Sequence, residues 1–146
     1  RGAQRAIPES IKPTFADFDV FGDENAEKAI ITYGRTFSAC AFAYEKLVNS
    51  GESVKLIKLN RIIPVCEGAV EAAKNCKDVY FFEEGIRRGG AGEGFLFDLS
   101  KAGFSGKYHL RAIENGFVKQ ASVESPLHKY GFDEEGVLSF VTSAED

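Results

Sequence analysis

The sequence predicts an α/β fold, a three-layer sandwich with a mostly parallel five-stranded sheet and one antiparallel edge strand. Three observations carry that expectation. Ala29–Tyr33 (AIITY), Val54–Leu59 (VKLIKL) and Val79–Glu83 (VYFFE) are short, largely apolar runs that read as buried strands. Segments with apolar residues at helical spacing separate them. Strand–helix alternation repeated in this way calls for a parallel sheet covered on both faces.

Taken in order, Arg1 to Thr14 contains Pro8 and Pro13 and shows no periodicity, so it reads as an extended linker from a preceding domain, with the folded unit over 15–146. Phe15–Phe21 (FADFDVF) alternates apolar and polar residues, as a half-buried strand does. Gly22-Asp23-Glu24-Asn25 is turn chemistry, so this first strand is expected to pair antiparallel with Ala29–Tyr33 and to sit at an edge. After Gly34, a helix is predicted with Phe37, Cys40, Ala41, Tyr44, Leu47 and Val48 on its apolar face and Gly51 at C′. In Val54–Leu59, the residues Val54, Leu56 and Lys58 fall on one side. Pro64 marks a boundary, and Glu67–Asn75 and Gly94–Ala102 read as helices. Tyr108–Ile113 is a last strand, and Pro126–Tyr130 and Asp133–Val141 are closing helical pieces.

Composition narrows the function classes. The length suits one domain with a real core. A net charge of −4 with both signs mixed along the chain gives no basic face for nucleic acid. No apolar run reaches membrane-spanning length, and the expected setting is the cytoplasm. Cys40, Cys66 and Cys76 are odd in number and lack C-x-x-C spacing, which argues against a disulfide framework or a zinc site. The chain has no methionine and starts at Arg1, so it is expected to be a piece of a longer one.

The segment richest in chemistry is EEGIRRGGAGEG, Glu83–Gly94, between a strand and a helix. Ligands in open α/β sheets gather at the carboxyl ends of strands, and helix starts favour anions. Glu83, Glu84, Arg87, Arg88, Gly89, Gly90 and Gly92 are therefore the candidate anion or interface residues. The run fails as a dinucleotide fingerprint, because the third position after Gly92 is Phe95, and it lacks a phosphate-loop lysine. Its small residues equally suit close approach to another backbone, within the domain or across a subunit interface. Glu83 and Glu84 point to opposite faces if both are in the strand, and a strand-end salt bridge or helix-start partner is the plain role for either. His109 and His128 have no nucleophile pattern near them and read as packed or surface side chains. Cys66, at a strand-to-helix junction where a thiol pKa can fall, reads as structural.

The order of these motifs resembles the C-terminal domain of the transketolase family. AIITYGR (29–35) is similar to its opening strand and turn, and VKLIKLNRIIPV (54–65) to its second strand and I-x-P corner. VYFFEEG (79–85) with GGAG (89–92) is similar to its third strand and glycine segment, and GFDEEG (131–136) to its closing element. The resemblance covers residues 28 to 140 and is nearest the 1-deoxy-D-xylulose-5-phosphate synthases. It implies a parent enzyme that uses thiamine diphosphate and magnesium, held by a GDG…N motif and an activating glutamate on two other domains. Here Gly22-Asp23 is followed by Glu24, so no GDG is present. The implied role is packing and dimer contact, with no catalytic, cofactor or metal residue of its own. The implied partners are the upstream domains of the same chain and a second copy of the parent. The resemblance leaves open a transketolase or 2-oxoacid dehydrogenase β-subunit parent. A stand-alone anion-binding module is the reading from a different class.

Overall fold

The computed structural model describes residues 16–62, 64–83, 90–112, 137–138 and 141–142. The strands are β1 (Phe18–Gly22), β2 (Lys28–Thr32), β3 (Val54–Leu59), β4 (Asp78–Glu83) and β5 (Lys107–Ala112). The helices are α1 (Phe37–Asn49), α2 (Glu67–Ala73) and α3 (Ala91–Lys101), with a 3-10 turn at Gly34–Thr36. The sheet order is β1-β3-β2-β4-β5. The pairs of β2 with β3 and β4, and of β4 with β5, are parallel. The predicted mixed five-stranded sheet with an antiparallel edge strand is therefore what forms.

Period-two alternation divides the core into two layers. Ile30, Leu56, Tyr80 and Phe82 face α1, and Val137 and Val141 join that cluster. Ala29, Ile31, Ile57, Leu59, Val79 and Phe81 face the other way, against α2 and α3. Of the two predicted closing helices, only Val137, Leu138 and Val141 are described, and these and the following Thr142 are helical. The predicted linker and His128 lie outside the described residues.

One expected pairing does not form. β1 runs antiparallel to β3, with Phe18 opposite Leu59 and Gly22 opposite Lys55, and not to β2. The physical reason is burial. β3 is covered on both faces, at Val54, Leu56, Ile57 and Leu59, which suits a strand with neighbours on both edges. β1 exposes Val20 and Gly22, which an edge tolerates. The turn after β1 crosses the start of β3, where the Lys28 amide donates to the Ser53 carbonyl at 3.1 Å.

Two further adjustments follow from packing. Val48, expected on the apolar face of α1, is 42% exposed, whereas Leu47 is 3% exposed. Gly51 does take the positive φ, +91°, that a C′ residue needs. α3 begins a turn earlier than predicted, at Ala91, despite Gly92 and Gly94, which are poor helix formers. The cause of that early start is a carboxylate on the neighbouring strand.

Candidate functional site

Parallel register brings the ends of β2 and β4 together. Thr32 lies opposite Phe82, so the next residues, Tyr33 and Glu83, are neighbours. Glu83 is fully buried, on the face covered by α3. The Tyr33 hydroxyl donates to its Oε1 at 3.0 Å. The Gly92 amide donates to both carboxylate oxygens, at 3.2 Å each. The Tyr108 hydroxyl donates to the Gly92 carbonyl at 2.6 Å, so the first turn of α3 is held on both sides. Thr36 steadies Tyr33 from behind by donating to its carbonyl at 3.0 Å.

Gly92 has to be glycine here. A Cβ at this position would stand 3.0 Å from Glu83 Oε2 and 3.2 Å from Phe81 Cδ1, with Leu110 Cδ1 nearer still. The missing side chain lets the helix start close on the carboxylate.

Burial pushes the Glu83 carboxyl above its ordinary range. Hydrogen bonds from Tyr33, Gly92 and Ala91 pull it back, and the charge of Glu93 adds to the rise. Burial also pushes the Tyr108 phenol up, and the charge of Glu83 pushes it further. The Glu83 carboxyl thus serves as an internal acceptor for the backbone amide at the start of α3. The Gly92 amide, a donor that an incoming anion at this helix start would use, already serves the protein's own carboxylate.

The other predicted residues divide plainly. Glu83, Gly90 and Gly92 come together at the start of α3, with Gly90 in the N-cap position. Glu84, Arg87, Arg88 and Gly89 lie outside the described residues. His109 stacks on Tyr80 at 4.5 Å and hydrogen-bonds Asp78 at 3.0 Å, as a packed histidine does. Cys66 is buried, with its thiol directed at the Arg61 carbonyl 3.2 Å away, and burial raises its pKa in spite of the helix start. Sequence reasoning missed Tyr33 and Tyr108. Their only local signal is an aromatic hydroxyl beside a strand end, and partnership with Glu83 depends on register. Among the described residues, no three His, Cys, Asp or Glu side chains converge to hold a metal ion.

The sequence itself finds its match in a known domain. The family model "Transketolase, C-terminal domain" fits residues 22–137. The chain belongs to that family. Among curated relatives of this transketolase C-terminal domain, the 1-deoxy-D-xylulose-5-phosphate synthase of Bacteroides fragilis is 28% identical over 116 residues, covering 78% of this chain and 18% of that protein. The protein of the same name from Bacillus mycoides is 29% identical over 118 residues, covering 79% of this chain and 19% of its own length. Among solved structures, a split-gene transketolase described as an inactive β4 tetramer aligns with a TM-score of 0.75 at 19% identity, over 94% of this chain and 46% of that one. A 2-oxoglutarate:ferredoxin oxidoreductase from Magnetococcus marinus aligns with a TM-score of 0.60 at 22% identity, over 87% of this chain and 19% of that one. These two likenesses show the fold. The chain thus spans only 18% to 19% of the length of these two curated relatives.

Proposed function

We propose that this transketolase C-terminal domain is the packing and dimer-contact domain of a thiamine-diphosphate-dependent transferase of the 1-deoxy-D-xylulose-5-phosphate synthase type. The observation that carries the reading is the set of curated relatives with that name, matched over most of this chain and a small share of theirs. On this reading the parent joins pyruvate to glyceraldehyde 3-phosphate with loss of carbon dioxide. Thiamine diphosphate and magnesium, bound on other domains, supply the carbanion chemistry. This domain contributes no reacting group, and the isolated chain is inactive. Its partners are the upstream domains of the same polypeptide and a second parent chain, in the cytoplasm. No helix among the described residues is long and apolar enough to cross a membrane.

The buried Glu83 cluster supports a structural role for the Glu83–Gly94 segment, because its carboxylate is turned inward onto α3 and Tyr33. The same arrangement weighs against the stand-alone anion-binding module. The test is to extend the reading frame upstream of Arg1 and assay the longer protein. Turnover of pyruvate with glyceraldehyde 3-phosphate that requires thiamine diphosphate, and is absent from the 146-residue chain, supports the proposal. A longer protein that instead transfers a two-carbon unit between sugar phosphates identifies a transketolase parent. A frame that starts just ahead of Arg1 overturns the reading of a single-chain parent.

A further inference from the structure

α2 and α3 lie side by side on one face of the sheet and leave a groove of about 480 Å³ between them. Part of its lining is apolar, from Pro64, Val65, Val70 and Ala102. Its rim is acidic. Glu67 and Glu71 stand exposed on α2, and the half-buried Asp98 lines the groove from α3. Glu71 shares its charge with Lys74 at 2.9 Å. Lys101, the basic residue of the lining, lies 5.1 Å from the Phe97 ring centroid. The carboxylates of Glu67 and Asp98 make no ion pair among the described residues.

The chain enters the fold beside this groove. Asn60 Nδ2 donates to the Ala16 carbonyl at 2.8 Å, and the Asn60 and Arg61 amides donate to the Asp17 carbonyl at 2.8 and 3.0 Å. The Arg61 guanidinium pairs with the Asp17 carboxylate at 2.7 Å, and its Nε donates to the Pro64 carbonyl at 3.3 Å. Ala16 and Asp17 are thus tied to the loop whose Pro64 and Val65 line the groove. What precedes them is RGAQRAIPESIKPT, residues 1–14. Arg1, Arg5 and Lys12 against Glu9 alone make this segment basic, in a chain whose net charge is −4. Ile7 and Ile11 are its bulky apolar side chains. Pro8 and Pro13 favour an extended chain that loses less freedom on docking than a flexible one. Fourteen residues span up to about 45 Å, against about 10 Å for the length of α2, so the segment reaches the whole groove.

We propose that the groove between α2 and α3 seats residues 1–14 of the same chain, with Ile7 and Ile11 on its apolar lining and Arg5 and Lys12 against Glu67 and Asp98. Opposite charges orient the segment. The tether holds it at a high effective concentration, so a shallow groove is enough. In a longer parent the seated segment fixes the angle at which the preceding domain meets this one. That consequence rests on the parent proposed above, whereas the seat itself does not.

Nitrogen-15 relaxation of the 146-residue chain tests it directly. The amides of Ile7 and Ile11 are expected to show order parameters of about 0.85, as rigid backbone does, against less than about 0.6 for a free tail. Glu67→Lys/Asp98→Lys should lower these values into the free range, and so should Ile7→Asp/Ile11→Asp. Adding Arg5→Glu/Lys12→Glu to the charge-reversed groove should restore them. The substituted groove residues are exposed or half-buried, and unshifted signals from β2 and β4 confirm that each variant folds. Wild-type order parameters in the free range overturn the proposal. So does an ordered segment that either pair of substitutions leaves unmoved, or one that the charge exchange fails to restore. A free segment with groove signals that shift as the protein is concentrated also overturns it, and assigns the groove to a second copy. None of these outcomes bears on the turnover assay of the longer protein.

Discussion

Glu83 and Lys55 are two buried charges at opposite ends of the same sheet. Glu83 ends β4 and is fully buried, while Lys55 sits near the start of β3 and is 3% exposed. Each is met by a helix end of the opposite sign. The Glu83 carboxylate takes the amide of Gly92 at the start of α3. The Lys55 ammonium donates to the Ala72 carbonyl in the last turn of α2, at 2.7 Å, and to the Glu24 carbonyl at 2.9 Å. Helix ends carry unpaired backbone groups and partial charge, so both solutions obey one rule. They differ in what remains if the charge is removed. Loss of Glu83 leaves a buried N–H and a phenol without an acceptor. Loss of Lys55 leaves carbonyls, which tolerate incomplete pairing better than N–H groups do.

That difference sets the order of effects. Glu83→Ala is expected to cost about 3 kcal/mol, since the lost bonds are charge-assisted and the stranded donors are buried. Urea denaturation of the variant measures it, and a loss below that of Lys55→Met would break the comparison. Gly92→Ala is next, at about 2 kcal/mol, because the new methyl meets Glu83, Phe81 and Leu110 in a filled space. Its cost should fall when combined with Leu110→Ala, which a double-mutant cycle resolves. Lys55→Met should cost about 1 kcal/mol, as the apolar replacement regains contact where the ammonium lay. Near equality of the Glu83 and Lys55 variants in urea would mean that the type of stranded group does not matter.

The sequence made one of these charges visible and hid the other, for reasons that lie in the local pattern. Glu83 stands where an apolar strand meets a glycine-rich run, a junction that draws attention at once. Lys55 sits inside VKLIKL, where alternation shows that Val54, Leu56 and Lys58 share a side and leaves open whether the opposite side is covered. Lys58 turned out half-buried and Lys55 buried. The strand and helix segments were legible because their periods are local. The partner of β1 was not, since a strand's neighbour is chosen by burial across the whole sheet. Tyr33 and Tyr108 were missed for the same reason, because only the β2–β4 and β4–β5 registers bring them to Glu83 and Gly92.

The smallest expected effect is a slope rather than a loss, and it isolates the charge of Glu83 from its shape. Burial raises its pKa in the folded state above the ordinary 4.5, so the native protein holds this proton more tightly than the unfolded chain does. A raised folded value means that the contribution of the protonated form is fully present below the unfolded value. It is lost as pH rises through the folded one. Glu83→Gln keeps the size of the side chain and cannot ionise. Other carboxylates titrate in both proteins, so the informative quantity is the difference between them. The advantage of wild type over Glu83→Gln in urea should be largest at acid pH and should shrink as the pH climbs through the raised value. A difference that grows with pH would mean that the donors from Tyr33, Gly92 and Ala91 outweigh burial. Glu83 would then be a stabilised anion like a salt-bridged carboxylate, and the contrast with Lys55 would rest on the stranded donors alone.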